Sequence, residues 1–93
     1  MEKKIELGLI ELPIITYPED DMYISEVPVI NVASQGKTIE ESITNLKEAV
    51  ELYFEGENVK KIIEEKFPIP SVMTTTMTFN INTKQVVRLP ISV

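Results

Sequence analysis

Carboxylates are the most numerous ionisable side chains in this chain. Fifteen Asp and Glu stand against nine Lys and Arg, and there is no histidine and no cysteine. Without those two types no Ser–His or Cys–His pair can be assembled, and the commonest general base is missing. Disulfides and Cys-ligated metals are excluded, and a transition-metal site would have to be built from carboxylates. The candidates fall into two groups. Asp20, Asp21 and Glu26 bracket Tyr23, and Glu40, Glu48, Glu51 and Glu55 recur further along. Carboxylates alone can gather divalent ions for phosphoryl hydrolysis, which needs several of them to converge. They can also receive the Lys and Arg of a basic partner. Asp20 and Asp21 are adjacent, and neighbours in an extended chain point to opposite faces, so their spacing does not predict convergence. No catalytic residue, metal or cofactor is expected from this pattern. The partner-binding candidates are Asp20, Asp21, Tyr23, Glu26, Glu40, Glu48, Glu51 and Glu55.

The charge is unevenly placed. Residues 38–56 hold five Glu against one Lys, whereas residues 68–93 contain no Asp or Glu, within a net charge of −6. Phosphate backbones need the opposite field, so direct nucleic-acid binding is not expected. A basic protein is a better match, although an acidic surface also simply keeps a protein soluble. At 93 residues, 43% hydrophobic and 26% charged, the chain reads as one globular domain over residues 1–93. No apolar run approaches the length of a membrane span, and Met1–Lys4 lead into alternation, not a signal-peptide core. A soluble, cytoplasmic protein is expected.

The elements that must position these carboxylates follow from hydrophobic period. Ile5, Leu7 and Leu9 alternate with polar residues, so residues 3–11 read as a strand, with Ile14–Tyr17 continuing it. Pro13 suggests an edge position or an irregularity. Residues 18–21 read as a turn, 22–27 as a second strand and 29–34 as a third. Gln35-Gly36-Lys37 turns the chain into a helix. Thr38 and Glu41 have capping-box spacing, and Glu40 and Glu41 suit the helix N-terminus. Ile39, Ile43, Leu46, Val50, Tyr53 and Phe54, with Ala49, form one apolar stripe. Gly56 is the stop. Glu40, Glu48, Glu51 and Glu55 fall on the opposite side. This outer stripe is either a solvated face or a docking face. Asn58 caps a short second helix, Val59–Glu65, with Val59, Ile62, Ile63 and Phe67 inward. Pro68-Ile69-Pro70 ends it. Residues 72–81 read as a strand with Met77, Phe79 and Ile81 on the core, Met73 in the core or at a subunit interface, and Thr74, Thr75, Thr76 and Thr78 half-exposed. A loop at 82–85 and an edge strand at 86–89 follow. The expected fold is α+β: an antiparallel sheet of four to five strands with one main and one short helix on a single face, ordered β-β-β-α-(α)-β-β. An uncovered edge near the C-terminus predicts homo-oligomerisation through strand contact.

Certain letters within this order resemble the HicB-like antitoxin family, over about residues 5–56. They are Glu19-Asp20-Asp21, Tyr23-Ile24, Val27-Pro28, Ser34-Gln35-Gly36-Lys37-Thr38, Ile39-Glu40-Glu41-Ser42 and Asn45-Leu46-Lys47-Glu48-Ala49-Val50-Glu51-Leu52-Tyr53. Many members carry Leu-Pro-Gly-Cys before Ser-Gln-Gly, where this chain has Val29-Ile30-Asn31-Val32-Ala33. Full-length antitoxins add a DNA-binding module, and here only about ten residues follow Ile81, so DNA binding is not carried over. The resemblance implies a core like a truncated RNase H fold without that enzyme's activity. It also implies a small basic HicA-type toxin, an RNA-cleaving protein, as the partner to be blocked. Family members without a toxin imply the alternative, a stand-alone homo-oligomer of structural or regulatory role.

Overall fold

The computed structural model describes residues 8–66 and 75–91. Five strands form one antiparallel sheet in the order β3-β2-β1-β4-β5. They are β1 (Leu9–Glu19), β2 (Met22–Val27), β3 (Val32–Gly36), β4 (Thr75–Asn80) and β5 (Gln85–Arg88), with α1 (Ile39–Phe54) and α2 (Val59–Lys66) between β3 and β4. The chain is α+β with the expected element order. Several expectations fall outside the described residues: the strand over residues 3–7, the placement of Phe67, Met73 and Thr74, the Pro68–Pro70 stop and the Ile63 side chain.

β1 is longer than its interrupted pattern suggests, because Pro13 does not break it. Leu9–Ile14 pair with β4, and Ile15–Glu19 pair with β2. Pro13 therefore sits where β1 has a neighbour on one side only, and its missing N–H leaves no ladder position empty. Alternation puts Ile10, Leu12 and Ile14 on the inner face, in register with Phe79, Met77 and Thr75 of β4 respectively. Val27, Ile30, Leu46, Val50, Phe54, Val59 and Val86 complete a single cluster. The Phe54 and Phe79 rings meet at 4.4 Å between centroids.

Sequence periodicity misplaces some residues. Pro18 and Glu19 belong to β1, and only Asp20 and Asp21 turn the chain, with Asp20 at φ 53. The span 29–34 is not one strand. Pro28–Ile30 is a single 3-10 turn with Pro28 at its start and Asn31 in the left-handed region, and β3 begins only at Val32. Proline's fixed φ and absent N–H favour that turn over an extended start. Ile39 leaves the apolar stripe and is 48% exposed, while Ser42 and Ile43 are the residues of that turn that face the sheet. The last hairpin turns at residues 81–84, so Ile81 is only partly buried and Gln85 is already strand. Thr78, expected half-exposed, is buried, and its hydroxyl donates to Glu11, which also accepts from Thr76.

Two fully buried hydroxyls, Ser25 and Ser42, sit among the apolar side chains between sheet and helix. A buried hydroxyl without a partner costs about 1–3 kcal/mol, and these are linked. Ser42 donates to the Ile39 carbonyl at 2.7 Å, so its oxygen must accept from Ser25 at 2.6 Å. Ser25, its one proton used, must then accept from Thr16 at 2.8 Å. The chain of donors runs Thr16 to Ser25 to Ser42 to Ile39 and ties β1, β2 and α1 together.

Candidate partner-binding surface

The helix that carries the acidic stripe is fixed at both ends by the residues expected to do so. Thr38 has extended backbone and its Oγ1 accepts from Glu41 N–H at 3.0 Å. Glu41 Oε1 reaches back to the Lys37 N–H at 2.8 Å, one residue before the cap. Gly56 follows the helix at φ 79, the left-handed conformation glycine adopts freely. Asn58 then caps α2 through the Lys61 N–H. Gly36 has a different role from the one its place in the sequence suggests. It is the last residue of β3, with no left-handed φ, and a Cβ there would lie 2.5 Å from Ser42 N and 2.8 Å from the Glu41 carbonyl carbon. It is needed so that α1 can approach the strand, not to make a turn.

The predicted carboxylates do not all lie together. Asp20 and Asp21 are exposed in the β1–β2 turn. Tyr23 pairs with Gly36, so that turn lies at the same end of the sheet as the start of α1, where Glu40 is also exposed. Glu48 and Glu55 continue along the outward side of α1, and among the described residues Glu40, Glu48 and Glu55 make no ion pair. Glu26 belongs to neither group. It shares the outer sheet face with Ile15 and Ala33, its register partners. Tyr23 is half-buried on the opposite, inner face with Ser25 and Val27.

Glu51 differs from Glu40, Glu48 and Glu55 in having partners within the chain. It is half-buried, pairs with Lys47 at 3.2 Å, and its Oε2 accepts the Val86 N–H of β5 at 2.9 Å. On the other flank of α1, Asn45 Nδ2 donates to the Gln35 carbonyl of β3 at 2.8 Å. One helix thus holds both edge strands with polar side chains. Sequence reasoning missed this because a Glu among exposed Glu residues carries no mark of its strand partner. Beside Glu51 is an open groove of about 350 Å³ lined by Glu55, Thr83, Lys84 and Gln85, and Lys84 Nζ is already engaged by the Glu57 carbonyl.

Outer-face electrostatics centre on Tyr17. Partial desolvation first, then the nearby Glu26 and Glu19 carboxylates, hold its phenol above the ordinary value of 10.0. Among the described residues no three carboxylates come together as a metal-binding group, and no helix is long and apolar enough to cross a membrane. No family model, no curated protein and no solved structure matches this chain.

Proposed function

We propose that this chain is a protein-binding module of HicB-like, antitoxin type that neutralises a small basic RNA-cleaving toxin by occlusion. The observation that supports it is the outward side of α1, where Glu40, Glu48 and Glu55 are exposed and unpaired among the described residues. Carboxylates held on a rigid helix and free of internal partners meet cationic side chains without first breaking a bond, and such complementarity raises association rate and specificity. Asp20 and Asp21 extend the acidic field past the helix start. Covering the toxin's basic, RNA-contacting face is all that inhibition requires, and no chemistry by this chain is involved.

The test is a pull-down from the native host at low salt, followed by a salt titration. A small basic protein should co-purify and release as ionic strength rises. Replacing Glu40, Glu48 and Glu55 together by Lys should weaken the complex by at least about tenfold with little change in melting temperature. Recovery of no basic partner at low salt, or undiminished binding by the triple variant, defeats the reading. A second reading, a stand-alone homo-oligomer, is favoured by Ile15 and Tyr17 on the outer sheet face, 49% and 37% exposed.

A further inference from the structure

The two edges of this sheet are built differently. β5 has four residues, its register with β4 shifts between Thr78 and Phe79, Arg88 lies within it, and Glu51 takes its Val86 N–H. Charge, irregular pairing and a covering group are the usual protections of an edge strand. β3 lacks the first two. Val32–Gly36 pairs with β2 in unbroken register and contains neither proline nor charge. Its one protection among the described residues is the Asn45 amide on Gln35. That bond also shows how β3 is oriented. The Gln35 carbonyl faces away from β2, and backbone groups alternate sides along a strand. The N–H and C=O of Ala33, two residues earlier, therefore lie on the same open edge, and Ala33 is exposed.

We infer that β3 is a pairing strand and that its occupant is β3 of a second copy, antiparallel, about a two-fold axis through the Ala33 pair. Each Ala33 N–H then donates to the Ala33 carbonyl of the other copy, and two five-stranded sheets join into one. The charge distribution selects a second copy as the occupant. Self-association through the carboxylate side of α1 or through the β1–β2 turn would set carboxylate against carboxylate, whereas β3 is neutral along its length. A basic foreign strand would find no carboxylate on it. An isologous two-fold contact needs a self-complementary patch, and an uncharged antiparallel edge is one.

An exposed leucine supports the same contact. Leu52 is 69% exposed and lies two helical turns after Asn45, on the flank that reaches β3. Two turns advance about 10 Å, which is about three residues of strand. Because α1 runs back along β3, Leu52 comes level with Val32, next to the axis, where the second copy covers it. Glu48, one turn away, remains at the rim. The pairing holds whether or not a toxin exists, and its salt dependence is opposite to that of a toxin complex. Two copies of a chain with net charge −6 associate more tightly as salt screens their repulsion.

Sedimentation equilibrium of the full chain, at low and high salt and from micromolar to millimolar concentration, tests this. The mass should rise from 10.6 kDa to twice that, at lower concentration in high salt. Ala33→Pro removes the outward N–H and leaves the β2 ladder intact. It should raise the dissociation constant by at least about tenfold, as should Leu52→Glu, while Val87→Lys on β5 should leave it unchanged. Should Ala33→Pro fail to fold, amide exchange at Ala33 in the unmodified chain provides the same information, with protection rising with protein concentration. A monomer throughout, a dimer insensitive to Leu52→Glu, dissociation by Val87→Lys, or concentration-independent exchange at Ala33 each overturns the inference.

Discussion

Replacing Gly36 by alanine is expected to destabilise the fold by about 2–3 kcal/mol, the upper part of the range for overpacked sites. The new methyl would sit 2.5 Å from Ser42 N and 2.8 Å from both the carbonyl carbon and Cβ of Glu41. Two of those three atoms are backbone in the first turn of α1, so no side chain can swing away to relieve the clash. Either the turn lifts, straining the Thr38–Glu41 cap and the Ser25–Ser42 bond, or β3 moves and loses Asn45. For a chain of this size such a loss lowers the melting temperature by about 10–20 °C. Gly56→Ala is the internal control. It meets nothing within 4 Å and suffers only from its φ of 79, a cost of about 1 kcal/mol. Urea unfolding followed by circular dichroism measures both. The close-approach argument fails if Gly36→Ala costs no more than Gly56→Ala, or falls within the roughly 0.5 kcal/mol scatter of neutral surface changes.

Further outcomes follow from the polar contacts. Ser42→Ala strands the Ser25 proton and should cost about 1–3 kcal/mol. With Ser25→Ala added, the total should fall short of the sum by about 1 kcal/mol, and strict additivity in a denaturation cycle would contradict the linked chain. Glu51→Ala should cost about 1–2 kcal/mol and accelerate amide exchange at Val86, while Glu51→Gln, still an acceptor, should keep most of that protection. Tyr17 should titrate above its ordinary 10.0. A raised folded-state value means its contribution to stability is fully present below pH 10.0 and lost as pH rises through the folded value. Tyrosinate absorbance should show the titration that Tyr17→Phe removes moving down in Glu26→Gln.

The order of elements was legible because the stripe Ile43, Leu46, Val50 and Phe54 and the alternation Ile10, Leu12, Ile14 follow helix and strand periods cleanly. The helix caps were legible because Thr38, Glu41 and Gly56 act locally. What escaped depends on contacts between elements. Ser42 fits the buried i, i+4 series with Leu46, Val50 and Phe54, but its hydroxyl hides it from a hydrophobic pattern. Its burial makes sense only once Ser25 is found facing it. Gly36 looked like a turn residue because its crowding comes from a helix that follows it. Glu51 looked like Glu48 because nothing local says that β5 returns beside it. The candidate surface was legible as composition, and the structure sorts it: Glu40, Glu48 and Glu55 remain available, Glu51 is anchored, and Glu26 stands on another face.

The divided pairing of β1 has a consequence for the folding rate. Its second half meets β2 across a two-residue turn, and β2, β3 and α1 follow as near neighbours in sequence. Its first half must wait for β4, more than sixty residues later. Loop closure over that span is slow relative to local pairing, so the folding nucleus is expected to lie within residues 14–54, with the β4–β5 hairpin docking afterwards. Val27→Ala and Leu46→Ala should then chiefly slow refolding, while Met77→Ala should chiefly speed unfolding, a division that stopped-flow chevrons would read directly.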